Sequence, residues 1–277
     1  MLPKEERGPS DRIDPRELTP LGPVSWGYAA VPSVPATAPR PILIQCHERY
    51  GVVQHTVELA DRFADAGLVT VAPDFYADVE LTGEEERLPE ISDAAALRHI
   101  DAAITYARTL EGCSDDSPVA VIGVCRTGSY GLVADAERDD INAVVMLYGG
   151  AQAREYELGD LRSVPYDKMI RAGTSPVLGL WGEKDHTMSV DDVRAVRNLI
   201  EDAGRSYDFV LYPDMPHGWL NDTMPGRFRE QEATESFETI TRWLHERLSG
   251  TDDNQVIWSF TSAYATDYDF ASNPRLH

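Results

Sequence analysis

Short β-branched runs alternate with stretches of helical apolar spacing along most of this chain, and that alternation leaves few folds open. Ser25–Val31 reads as a first strand, and Ile42-Leu43-Ile44-Gln45-Cys46 as a buried one. Thr56–Ala66 then places Val57, Ala60, Phe63 and Ala64 on one helical face, with Gly67 as a stop. Leu68–Ala72 is the next strand, closed by Pro73-Asp74. Ile91–Leu110 is the next helix, with Leu97, Ile100, Ile104 and Ala107 on its buried side and Ser92 or Asp93 as its cap. Strands follow at Val119–Gly123, Ala143–Leu147, Val177–Trp181 and Tyr207–Tyr212, and helices at Ser129–Glu137, Val190–Ala203 and Gln231–Leu248. Such a series folds as α/β, with a mostly parallel central sheet covered by helices on both faces.

No repeat and no linker interrupts the pattern, so residues 24–250 are expected to form one domain. Residues 1–23, with five prolines among many charges, read as an N-terminal arm laid over the surface. Residues 251–277 form a C-terminal extension carrying Trp258, Phe260, Tyr264, Tyr268 and Phe270. Packing within the chain, a dimer contact or a cover over the site would each account for those aromatics.

The net charge of −22 disfavours nucleic acid and anionic membranes as partners, because the long-range field repels phosphates. Only Lys4, Lys168 and Lys184 among the 25 basic residues are lysines. A GC-rich genome and a high-salt cytoplasm both produce that bias. Three cysteines cannot build a disulfide framework. The first twenty residues hold no signal-peptide core, and no stretch approaches a membrane span, so a cytoplasmic protein is expected.

Ligands of open α/β sheets bind beyond the carboxyl ends of the strands, which directs attention to the residues that follow each one. His47, Glu48 and Arg49 follow the first long strand; Val124-Cys125-Arg126-Thr127-Gly128 follow Val119–Gly123. Glu183-Lys184-Asp185-His186 follow Val177–Trp181, and Met215-Pro216-His217-Gly218 follow Tyr207–Tyr212. Thiol, carboxylate and imidazole thus occur at one sheet edge in the order nucleophile, acid, base, which is the α/β-hydrolase arrangement with Cys in place of Ser. A sharp strand-to-helix turn would expose the Cys125 sulfur, and the helix starting there would favour its thiolate. His217 would take and return the proton, and Asp185 would hold the imidazole in the right tautomer. The backbone N–H of Arg126 and that of Arg49 are the candidate oxyanion donors.

At these residues the chain resembles the dienelactone hydrolase (carboxymethylenebutenolidase) family. The likeness runs over about residues 25–249. It includes Glu48-Arg49-Tyr50-Gly51, Ala72-Pro73-Asp74-Phe75-Tyr76, Gly123-x-Cys125-x-x-Gly128, Asp185-His186 and His217-Gly218. The resemblance implies an α/β-hydrolase fold and a Cys125–His217–Asp185 triad. It also implies that Glu48 interacts with the resting thiol and swings away as substrate activates it. The family opens cyclic enol lactones, and other members act on varied esters. Two positions depart from its pattern. Thr127 stands where the family has glycine, and Asn221 where it has an arginine that grips the substrate carboxylate. Arg126 or Arg49 could replace that grip.

Tyr50, Tyr76, Tyr148 and Trp219 lie near strand ends or the histidine loop and could wall a pocket for a planar or cyclic substrate, with Arg126 beside them. The histidines and cysteines show no metal-ligand spacing, and neither a dinucleotide fingerprint nor a P-loop occurs, so neither a metal nor a cofactor is expected. The expected function is lactone or small-ester hydrolysis through an acyl-enzyme on Cys125, by a monomer or homodimer. A thioesterase or C–C hydrolase using the same triad, and a non-catalytic binding protein on the same fold, are the alternatives.

Overall fold

The computed structural model describes residues 11–14, 17–80, 88–250 and 255–262. Among these described residues nine strands form one sheet: β1 (Thr19–Gly22), β2 (Ser25–Ala30), β3 (Ile42–Cys46), β4 (Val69–Pro73), β5 (Val119–Val124), β6 (Ile141–Leu147), β7 (Val177–Gly182), β8 (Tyr207–Tyr212) and β9 (Trp258–Ser262). The α-helices described with them are α1 (Gln54–Asp65), α2 (Asp93–Ala107), α3 (Tyr130–Glu137), α4 (Tyr166–Ala172), α5 (Val190–Asp202) and α6 (Glu230–Leu248). The strand order is β1-β2-β4-β3-β5-β6-β7-β8-β9. β2 is antiparallel to both β1 and β4, and the remaining pairs are parallel.

Period-two alternation divides the core. Ile42, Ile44 and Cys46 of β3 face one side with Val119 and Val121 of β5, against α2 (Ile100, Ile104), α4 (Met169, Ile170) and α5 (Val193, Val196). Leu43, Ala120 and Ile122 face the other side, against Leu59 and Phe63 of α1 and Ile240, Trp243 and Leu244 of α6. Every residue of β3, β4, β5 and β7 is buried, as a parallel sheet covered on both faces requires.

Four elements, the strand β9 described below among them, differ from the sequence expectation. Thr19–Gly22, within the span read as an arm, is the edge strand β1. Further out, Ile13 is buried and bonds to the Val52 carbonyl. The helix expected at Ser129–Glu137 starts at Tyr130, and a separate 3-10 turn, Cys125–Thr127, follows β5. Four residues therefore separate Cys125 from the start of the helix. α4 has no counterpart in the sequence reading, because seven residues after Pro165 are too few to show a helical period.

In the C-terminal extension, β9 pairs parallel with β8. Phe260 is buried against Phe209 and the Trp258 indole N–H donates to the Arg205 carbonyl, so these two aromatics pack within the chain. Tyr264, Tyr268 and Phe270 lie outside the described residues. Among the described residues no helix is long and apolar enough to cross a membrane.

Candidate active site

β4 lies on one side of β3 and β5 on the other, so the chain reverses its direction of travel across the sheet at the β3/β5 boundary. A crevice opens beyond the carboxyl ends of the strands at such a switch point. Here the β3 end supplies Glu48 and the β5 end supplies Cys125.

Cys125 has φ 59°, in the left-handed region that a side-chain-bearing residue rarely adopts. Neighbouring glycines allow this turn. A Cβ on Gly123 would sit 2.2 Å from the Thr127 carbonyl oxygen, and one on Gly128 would sit 2.2 Å from the Gly149 carbonyl carbon. Thr127 fits at the family's glycine position because its side chain is buried and fully engaged. Its Oγ1 accepts from the Val124 N–H at 3.0 Å and lies 3.0–3.1 Å from the carbonyls of Cys46, His47 and Val124. One hydroxyl thereby ties the elbow to the end of β3.

The three residues expected to form the triad meet. The Cys125 Sγ lies 3.0 Å from His217 Nε2, and His217 Nδ1 lies 2.7 Å from Asp185 Oδ2. The other oxygen of Asp185 accepts from both the N–H and the hydroxyl of Thr187, each at 2.7 Å. The same hydroxyl lies 3.2 Å from His217 Nδ1. Burial pushes the His217 pKa down, but the hydrogen bonds and charges of Asp185 and Cys125 outweigh it and carry the value up to about 10. Burial likewise pushes Asp185 up. His217 and Thr187 more than offset this and hold its carboxyl below the usual carboxylate range.

Glu48 is buried and lines the cleft with Cys125, but its Oε2 accepts from the Asn221 amide at 2.7 Å and is not bonded to the thiol. Asn221, at the family's arginine position, is fully buried and cannot reach a ligand. Next to Glu48, burial drives the His47 pKa down to about 4. Its neutral ring donates from Nδ1 to the Glu48 carbonyl and accepts the Phe75 N–H at Nε2. His47 is thus a structural brace for the loop after β3.

The cleft encloses about 310 Å³ and is lined by Arg49, Tyr50, Arg126, His186 and Arg227 among others. Tyr50 is in the wall, with the Arg49 guanidinium over its ring. Tyr76, Tyr148 and Trp219 lie buried behind it. Tyr148 meets His217 edge-to-face at 5.2 Å and Trp219 at 5.1 Å, so it supports the imidazole from below. Arg126 borders the cleft, but its guanidinium donates to the carbonyls of Leu88 and Pro89. Sequence reasoning missed Arg227, whose side chain passes over Gly218 and whose guanidinium has no carboxylate partner among the described residues. Thr187 was missed too, although its place two residues after Asp185 is the usual one for a side-chain-to-backbone turn bond.

Comparison with known proteins gives the arrangement its relatives. Residues 27–248 match the family model described as the dienelactone hydrolase family. A protein of Methylorubrum extorquens, provisionally named a carboxymethylenebutenolidase, is 27% identical over 227 residues, 79% of this chain and 76% of its own. A crystal structure from Klebsiella pneumoniae, provisionally named a dienelactone hydrolase, aligns with a TM-score of 0.72 at 25% identity, covering 80% of this chain and 93% of that one. Est1E from Butyrivibrio proteoclasticus, at 19% identity and a TM-score of 0.58 over 81% of this chain and 95% of its own, shares the fold. Matching the family model from β2 to the end of α6, on an α/β-hydrolase fold, this chain belongs to the dienelactone hydrolase family.

Proposed function

We propose that the protein hydrolyses a carboxylic ester or lactone through a thioester formed on Cys125. The observation that carries this reading is the unbroken line from Cys125 Sγ to His217 Nε2 at 3.0 Å and from His217 Nδ1 to Asp185 at 2.7 Å. The Cys125 proton passes to His217 Nε2, and the sulfur attacks the carbonyl carbon. Negative charge moves onto the carbonyl oxygen, where the backbone N–H groups of Arg126 and Arg49 would receive it. The carbon–oxygen bond then breaks and the imidazolium returns its proton to the departing oxygen, which stays on the same molecule when the substrate is a lactone. Water, deprotonated by His217, attacks the thioester and releases the acid and the thiol. Asp185 stabilises each imidazolium and is itself held by Thr187.

Substrate binding falls to the cleft wall. Tyr50 offers a flat apolar face, and Arg227, free of carboxylate partners among the described residues, is placed to anchor an acidic substituent in place of the arginine absent at Asn221. The test is turnover of a panel of lactones, p-nitrophenyl esters and thioesters by the wild type and by Cys125→Ala. Loss of at least about a thousandfold in kcat with the variant supports the reading. An unchanged turnover of every compound by Cys125→Ala overturns it, and preferential turnover of thioesters moves the substrate class.

A further inference from the structure

Two proton acceptors line the cleft with Cys125, the His217 imidazole at 3.0 Å from the sulfur and the Glu48 carboxylate, and they have opposite consequences. A thiol that donates to a carboxylate keeps its proton and remains a poor nucleophile. A thiol that gives its proton to an imidazole becomes one half of an ion pair. We infer that Asn221 is a positioning residue that holds Glu48 off the thiol, so that Cys125 is paired with His217 and reactive before any substrate enters. This rests on the nucleophile reading above. It departs from the substrate-driven release of Glu48 that the family resemblance implies.

The amide orientation follows from its partners. Asn221 Oδ1 faces the Thr223 N–H at 3.1 Å and the Thr223 hydroxyl at 2.6 Å. A backbone N–H can only donate, so the atom opposite it must be the oxygen, and the NH2 group must face Glu48. That NH2 donates to Glu48 Oε2 at 2.7 Å, a charge-assisted bond to a carboxylate. The Asn221 backbone is fixed as well, its N–H donating to the Gly218 carbonyl and its carbonyl accepting from Met224. Asn221 is fully buried and Glu48 nearly so, leaving little water to compete for the bond. An arginine here would carry its charge past Glu48 toward the cleft, whereas the short amide ends at Glu48. The substitution thus removes a ligand contact and leaves a clamp on the carboxylate.

The test is the rate at which iodoacetamide alkylates Cys125 in the ligand-free protein at pH 7, read by peptide mass spectrometry with Cys113 as internal reference. Alkylation joins Sγ to the reagent's methylene carbon and expels iodide, so it reports the thiolate directly. The wild type is expected to alkylate Cys125 at least about tenfold faster than Cys113, because an unassisted thiol is only a few per cent thiolate at this pH. Asn221→Ala, which removes the donor to Glu48, and the isosteric Asn221→Asp, which keeps the oxygen that accepts from both Thr223 donors but sets a second carboxylate against Glu48, should each slow Cys125 about tenfold by freeing or repelling Glu48 toward the thiol. Adding Glu48→Gln to the Asn221→Ala chain should return the rate to within about threefold of wild type, a rescue that mere structural damage would not show. If both Asn221 variants alkylate at the wild-type rate, or the double variant stays slow, the positioning role is refuted while the nucleophile stands. If wild-type Cys125 reacts no faster than Cys113, the nucleophile reading itself fails.

Discussion

The Thr127 hydroxyl accepts the Val124 N–H and has one proton for three carbonyls within reach, so its geometry is set from several sides at once. Thr127→Val keeps the shape and removes those bonds. Because the orphaned groups are buried, the variant should lose about 1–3 kcal/mol of stability in urea titration. It should also lower kcat, since the β3 loop carrying Glu48 and Arg49 is no longer tied to the elbow. Thr127→Ser should restore both, and equal stability of the Val variant and the wild type would contradict this role. Arg227 makes a separate prediction. Arg227→Ala should raise the KM of a carboxylate-bearing ester about tenfold more than that of its neutral counterpart, the worth of one charge-assisted contact. An equal change for both esters would remove Arg227 from substrate recognition. At this scale the meeting of Cys125, His217 and Asp185 was legible in the sequence, because the three follow strands whose ends must share one edge. The roles of Thr187, Asn221 and Arg227 were not, since each depends on which way a loop side chain turns.

The elements show the same division. Strands β3, β5, β7 and β8 and helices α1, α2, α5 and α6 were readable, because long apolar periods announce them. β1 and β9 were not read as strands. The first is four residues of Thr-Pro-Leu-Gly, and the second exposes Trp258 beyond a buried Phe260, so neither carries a clean pattern. β9 nevertheless covers the edge of β8, the strand that delivers His217. Phe260 packs on Phe209 and under the Arg197 guanidinium. Phe260→Ala should cost about 3 kcal/mol in a urea titration. The loss should fall on stability far more than on kcat, because His217 is held by Asp185 and Tyr148 rather than by β9. A variant as stable as the wild type would show that β9 adds nothing to the sheet.

Across the whole molecule the central sheet places two loops from the β3/β5 switch point opposite two from β7 and β8, and the cleft is where they meet. In a chain of net charge −22 the cleft wall sets Arg49, Arg126, Arg154 and Arg227 against Glu48 and Glu90, so the site carries more positive than negative side chains while the molecule is strongly negative. Repulsion among the surface carboxylates opposes folding and is screened by salt. Raising NaCl from about 0.05 to about 1 M should therefore raise the Tm by several degrees, and an unchanged Tm would place the acidic groups too far apart to matter. The high His217 pKa makes stability depend on pH as well. Its folded value lies above the unfolded one of 6.5, so its contribution to stability is complete below that value and is lost as pH rises through about 10.

Hydrolysis through Cys125 requires a covalent acyl group on its sulfur. The most direct test is acid quench of the wild-type protein within milliseconds of mixing with a p-nitrophenyl ester, followed by peptide mapping. An acyl mass is expected on the peptide containing Cys125, present in wild type and absent from Cys125→Ala. Steady turnover with no adduct on Cys125 at any quench time, and the same turnover by Cys125→Ala, would contradict it.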